Sequence, residues 1–215
     1  IVGSISVQSD TLDRGIYVSD PGHFGMIDAV ADPEVFRLLF SAAENWLVSK
    51  GARKITGPFS LNINQESGLL IDGFDTPPSA MMTHGMPYYS ARVEQQGYTQ
   101  GIDLLAYWMR LAELQFPPSL AKLMDHARSK VSIRCLNRKK FSEEMQVLRQ
   151  IFNSAWQKNW GFVPFTEHEF AVMGDRLKFW VPAAMIFMSR MASPPVAFIM
   201  GRLNTKEASA DPYGT

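Results

Sequence analysis

The sequence predicts a mixed α/β fold. Short stretches of alternating apolar and polar residues, the mark of a half-buried strand, recur along the chain. Between them lie stretches whose apolar residues return at helical spacing. The composition is 46% hydrophobic, with 21 basic against 21 acidic side chains in 215 residues. That balance belongs to a chain with a buried core and excludes a disordered one. The length fits one large domain or two small ones.

Each element has its own local reason. Ile1, Val2, Ile5 and Val7 alternate with small and polar residues, which predicts a strand. Ser9 to Arg14 is polar and reads as a turn, and His23 to Val30 as a second strand. Asp32-Pro33 then marks a helix start, since Asp caps well and Pro suits the first helical position. That helix runs over 33–50, with Val35, Leu39, Ala42 and Trp46 on one face and Phe36, Phe40, Ala43 and Leu47 on a neighbouring one. Gly51 stops it. Lys54 to Thr56 is a short strand. Gly57 to Pro87 is a long Gly-, Pro-, Asn- and Ser-rich loop, a type of segment that often binds or covers a ligand. Pro87 to Gln96 reads as a helix closed by Gly97, and Ile102 to Met109 as a strand. A connecting helix follows through Leu120, Leu123, Met124 and Ala127. Val131 to Cys135 is a strand. Phe141, Met145, Leu148, Phe152 and Ala155 mark a long helix. Thr166 and Glu169 form a capping-box pattern that starts another helix. Residues 184–191 and 195–203 read as a hairpin around Ala192-Ser193-Pro194, before a polar tail over 205–215.

The same residues exclude several functions. No basic excess exists to neutralise phosphates, so no nucleic-acid partner is expected. The most apolar stretch, Phe179 to Met200, is interrupted by Ser189, Arg190, Ser193, Pro194 and Pro195, so neither a span nor a membrane partner is expected. The first ten residues lack a signal-peptide pattern. Cys135 stands alone, which fits a reducing compartment and a cytoplasmic location. His23, His84, His126 and His168 have no ligand-like spacing, so no metal site is expected. Neither a Gly-x-Ser-x-Gly elbow nor a phosphate loop ending in Gly-Lys-Ser/Thr occurs. The chain starts at Ile1 without a methionine, which reads as a fragment or a processed end.

One set of motifs points further. Gly57-Pro58, Asn62, Asn64, Gly68-Leu69-Leu70, Asp72-Gly73-Phe74, Pro77-Pro78, Tyr88-Tyr89 and Gly97-Tyr98 stand in the first part. Phe152-Asn153, Ala155-Trp156, Asn159-Trp160-Gly161-Phe162 and Pro164 stand in the second. Together they resemble a tandem-type bacterial group within the GNAT N-acetyltransferase superfamily. The resemblance implies an α+β domain with a mixed, mostly antiparallel central sheet that takes acetyl-CoA or another acyl-CoA between splayed strands. In that order of elements, residues 1–112 resemble the C-terminal half of a GNAT unit and 131–204 the N-terminal half, with 113–130 a linker helix. An isolated half would leave a bare sheet face, so the halves are expected to complement each other as one composite, permuted domain. Strand exchange in a homodimer is the alternative.

The resemblance also directs attention to particular residues. It aligns the strand residues Met26, Ile27, Asp28, Ala29 and Val30 with the cofactor-facing strand. The glycine-rich pyrophosphate loop of the superfamily is absent: Val30-Ala31-Asp32-Pro33-Glu34-Val35 holds no glycine, and Pro33 lacks an N–H. A self-capped helix is the reading adopted there. The tyrosine expected four residues before Gly97 is Val93. Tyr88 and Tyr89 stand in as catalytic candidates, against a reading in which they pack the loop. Glu66, Asp72, Asp75 and His84 are the candidates for a base.

Asn62, Asn64, Asn153, Trp156, Asn159 and Trp160 are the substrate-binding candidates. A Trp156–Trp160 helical spacing would set both indoles on one side. The opposing reading makes the indoles core and the amides caps. Arg128, Lys130, Arg134, Arg138, Lys139 and Lys140 form a basic run, read as a solvated face diluted by Glu143 and Glu144. The functional expectation is an N-acyltransferase moving an acyl group from acyl-CoA to a small amine, with a degenerate CoA loop. The alternative is a non-catalytic ligand-binding or interaction module that retains the fold.

Overall fold

The fold is described from a computed structural model of the 215-residue chain. It describes residues 1–9, 21–79, 82–107, 109–110, 114–128, 130–182, 186–190 and 195–201. The positions read as a turn at 10–14, the hairpin turn at 192–194 and the tail over 205–215 lie outside those residues. The fold class is mixed α/β in its α+β form, with two small, mostly antiparallel sheets flanked by helices. The chain divides into two compact units, Ile1–Ala106 with Trp160–Val163, and Tyr107–Asn159 with Pro164–Thr215.

The first unit is built on strands β1 (Gly3–Gln8), β2 (Pro21–Ala29) and β3 (Lys54–Thr56). β1 and β2 are antiparallel, pairing Gly3 with Ala29 and Gln8 with His23. The register slips between Ser4 and Ser6, opposite Met26, whose φ of 44° is unusual for a side chain of this size. β3 runs parallel to β2 over three pairs, from Pro21–Lys54 to His23–Thr56. Beyond that point Phe59 N–H donates to the Phe24 carbonyl at 2.8 Å. Gly25 makes this approach feasible, because a Cβ there would sit 1.7 Å from the Phe59 carbonyl oxygen.

Helix α1 (Pro33–Ser49) makes the crossover from β2 to β3. Asp32 caps it as expected, accepting from Glu34 N–H at 2.8 Å. Of its two apolar stripes, Phe36, Phe40, Ala43 and Leu47 are the buried one. They lie on one helical face, and Phe36 and Phe40 close over Phe24 and Ala29 of β2, joined by Tyr89 and Val93. Burying a side chain such as Phe36 or Leu47 stabilises by roughly 1.5–3 kcal/mol. Helix α2 (Tyr89–Glu94) is shorter than the 87–96 expected, since only Tyr89 and Val93 face the core.

The strand expected over 102–109 is not formed: described residues there have no regular structure. Ile102, Leu104, Leu105, Tyr107 and Met109 are all at least half exposed. Apolar alternation makes a strand only where a partner edge completes the ladder, and no described strand pairs with this segment.

The second unit holds α3 (Pro118–Arg128), β4 (Ser132–Cys135), α4 (Phe141–Trp156), α5 (Glu167–Trp180), β5 (Ile186–Arg190) and β6 (Pro195–Met200). Its sheet is antiparallel in the order β4-β5-β6, with Cys135 opposite Phe187 and Ile186 opposite Met200. Leu136, Met145, Leu148, Phe165, Phe170, Val181, Ile186 and Met188 form its core. The capping box before α5 is present: Thr166 N–H donates to Glu169 Oε2 at 2.9 Å and Glu169 N–H to Thr166 Oγ1 at 3.2 Å. β4 corrects the solvated reading of Arg134. Ile133 is 68% exposed, while Arg134 makes a bidentate pair with Glu144 at 2.7 and 2.8 Å. A carboxylate buried as deeply as Glu144 requires a cation, and that requirement sets which face of β4 turns inward.

The described strands pair only within these two sheets, where the resemblance implied one central sheet.

Candidate functional site

The end of β2 brings together two groups of candidates from distant parts of the chain. Tyr88 O–H donates to the Ala29 carbonyl at 2.7 Å. Ala29 N–H donates to the Tyr89 hydroxyl at 3.1 Å, and that hydroxyl donates to Asp28 Oδ1 at 3.0 Å. The last turn of β2 is therefore held on both backbone groups of Ala29. The two rings stand edge to face at 5.1 Å, and each meets Phe36 of α1. Tyr89 is only 5% exposed. Burial holds its phenol above the ordinary range. The Asp28 carboxylate pushes the same way, and the Ala29 N–H opposes them.

The other strand candidates face outward. Met26, Asp28 and Val30 are exposed, alternating with half-buried Ile27 and buried Ala29. An exposed carboxylate thus stands within hydrogen-bond reach of a buried phenol. Arg92 of α2, which the sequence reading did not single out, donates to the Ala31 carbonyl at 3.3 Å and to Gln95 at 2.9 Å. Its spacing from Tyr88, four residues on a helix, was the available signal.

Beside this cluster, Asp32, Pro33, Glu34, Arg37, Gln95 and Gln96 line an open cleft at the N-terminus of α1. Its electrostatics are already settled. Asp32 occupies an N-terminal N–H, and Glu34 pairs with Arg37. The hydrogen bond from Arg37 holds the Glu34 carboxyl below its usual range, while the Arg37 guanidinium is pushed up. Two carboxylates and a proline do not make the anion cradle that a pyrophosphate needs. The residues at this helix end do not fit the usual acyl-CoA diphosphate.

The substrate-binding candidates separate into two sets. Asn62, Asn64 and Trp160 belong to the first unit. Asn62 Oδ1 accepts from Asn64 N–H at 3.0 Å, and Asn64 Nδ2 donates to the Val163 carbonyl at 2.9 Å. The Trp160 ring lies 6.1 Å from Phe59, which in turn meets His23, whose Nδ1 is 2.8 Å from Thr56 Oγ1. Asn153, Trp156 and Asn159 belong to the second unit. The Asn153 amide clamps the backbone of Phe165, donating to its carbonyl and accepting from its N–H, both at 3.0 Å. Trp156 stacks on Phe152 at 5.4 Å. Asn159 is exposed, and its N–H donates to the Trp156 carbonyl at 2.8 Å. The helical pairing of Trp156 with Trp160 is not formed, because α4 ends at Trp156.

The base candidates of the long loop scatter. Glu66, Asp72 and Asp75 are exposed, and Asp72 Oδ1 accepts from Gly73 N–H at 2.9 Å. His84 stacks on Phe74 at 6.4 Å, with its Nδ1 buried and unbonded among the described residues.

No family model matches the chain, and no solved structure matches it. Two relatives do. The chain is 65% identical to Protein YghO of Escherichia coli strain K12 over 215 residues, which is 100% of this chain and 55% of that protein. It is 40% identical to a protein named bacterial ceramide synthase, from Caulobacter vibrioides strain NA1000 / CB15N, over 216 residues. That match takes in 99% of this chain and 56% of the relative. The chain thus spans about half the length of the curated relatives it matches. Both relatives are bacterial.

Proposed function

We propose that the chain forms part of an N-acyltransferase of the GNAT type, acting in the cytoplasm on the amine of a long-chain amino alcohol. The similarity to a ceramide synthase along almost the whole chain carries this reading. A ceramide is the amide of such an amine, so a ceramide synthase must join an acyl group to nitrogen. That chemistry is the acyl transfer the GNAT resemblance implies, with an amphiphile in place of the small amine first expected.

The geometry supports a division of labour at the end of β2. Amide formation needs the amine nitrogen free of its proton when it attacks the acyl carbonyl. Asp28 is exposed and accepts a hydrogen bond from the Tyr89 hydroxyl, so it is assigned the role of taking that proton. Tyr88 and Tyr89 hold Ala29, and with it the direction of the Asp28 side chain. They act as positioning residues in this proposal. The acyl donor's diphosphate is not assigned to α1, whose N-terminus does not fit it.

The test combines synthesis with binding. The protein is incubated with acyl-CoAs and a long-chain amino alcohol, and free thiol and amide are measured together. Replacing Asp28→Asn is expected to lower amide formation by about 100-fold, the usual scale for a lost base, with an unchanged melting midpoint. A protein that forms no amide and whose midpoint does not move with saturating acyl-CoA would instead be the non-catalytic module. The observation favouring that second reading is the capped, glycine-free start of α1.

A further inference from the structure

We infer that helix α3 is a docking element for an anionic lipid surface. α3 has no buried residue, although four of its eleven side chains are apolar beyond Pro118 and Ala121. At 100° per residue, Leu120, Leu123, Met124 and Ala127 fall within an arc of about 100°. Lys122, Asp125 and His126 fall on the opposite side. Leu123 is 62% exposed and Leu120 39% exposed. Phe116 and Leu114, just before the helix, are also exposed. A helix so cleanly divided, with its apolar arc uncovered, matches the pattern of one that lies in a bilayer interface.

Charge decides between a lipid surface and other occupants. The whole chain is neutral, but Tyr107 to Lys140 carries eight basic side chains and only two acidic ones. Arg128, Arg134 and Lys140 pair with Asp125, Glu144 and Glu143, so the cations that count toward the surface are Lys122, Lys130, Arg138 and Lys139. Lys122 and Lys130 are exposed on or beside α3, and Arg138 and Lys139 are exposed after it. An apolar arc flanked by cations complements anionic headgroups over acyl chains. A neutral protein partner, or a second copy of this chain with the same basic segment, would gain nothing from those cations. The choice of a lipid also rests on the proposed amphiphilic amine, which would itself reside in a bilayer. This inference departs from the sequence expectation of no membrane partner. Among the described residues no helix is long and apolar enough to cross a membrane, but an interfacial helix needs no span.

The experiment is flotation of the full chain with mixed phosphatidylglycerol–phosphatidylcholine vesicles and with phosphatidylcholine alone. The chain is expected to float with the mixed vesicles, and added salt is expected to release it. A Leu120→Glu, Leu123→Glu variant should lose about tenfold or more in vesicle affinity, because two apolar anchors become charged. Lys122→Glu with Lys130→Glu should weaken binding to the mixed vesicles alone. With no buried side chain in α3, all variants should keep the parent's circular dichroism and melting midpoint, and Leu123→Ser serves if the double variant does not.

Absence of flotation, or equal flotation by parent and leucine variants, overturns the proposal. So does a dimer that the leucine variants disperse, which would assign the face to a second copy. Amide formation from a short, water-soluble amine without vesicles reads the acyl-transfer proposal separately, so failure of one is distinct from failure of the other.

Discussion

Asn153 illustrates how a single side chain can be misjudged from its type. An amide near two tryptophans has the chemistry of a substrate contact. In the folded unit both of its ends bind the Phe165 backbone at 3.0 Å. Phe165 is buried, so its N–H has no water to turn to. Arg149 also reaches the Phe165 carbonyl, at 3.4 Å, so that oxygen would keep a partner. Replacing Asn153→Ala should therefore orphan one buried donor and lower stability by about 2 kcal/mol. Denaturant melts would show it, and a change below the error of the fit would contradict the clamp. The same lesson applies to Tyr88 and Tyr89. Their hydroxyls could be recognised in the sequence as chemically useful, but not as bound to a strand about 60 positions away.

At the scale of elements, local signals performed best where they close within a few residues. The Asp32 cap and the Thr166–Glu169 box both form where the sequence placed them. Such features depend on side chains touching their own backbone, so distant structure has little influence. Replacing Glu169→Ala should remove the acceptor for Thr166 N–H and cost about 1 kcal/mol, read from the thermal midpoint of the isolated variant. A midpoint unchanged by the substitution would mean that solvent replaces the box without penalty. The strand expected over 102–109 failed for the opposite reason. A strand is stabilised by its neighbour, and the apolar alternation of Ile102 and Leu104 carries no information about whether one exists. β4 was placed correctly, but its facing was set by Glu144 on α4, ten residues on.

For the molecule as a whole, the equal counts of acidic and basic side chains govern behaviour in solution. With a formal charge of zero at pH 7, self-repulsion is least there. Solubility measured across the neutral range should pass through a minimum near pH 7 and rise on both sides. A flat profile would mean that local fields, such as the basic segment from Tyr107 to Lys140, outweigh the net charge. The sequence by itself determined the fold class, the helix starts and most strand positions, because these follow from periodicity and from contacts within one turn. The tertiary structure alone decided that pairing among the described strands stays within two small sheets. It alone turned Arg134 inward and brought Tyr88 and Tyr89 onto Ala29. Those outcomes depend on which distant groups compete for the same buried hydrogen bonds and charges, and no local spacing encodes that competition.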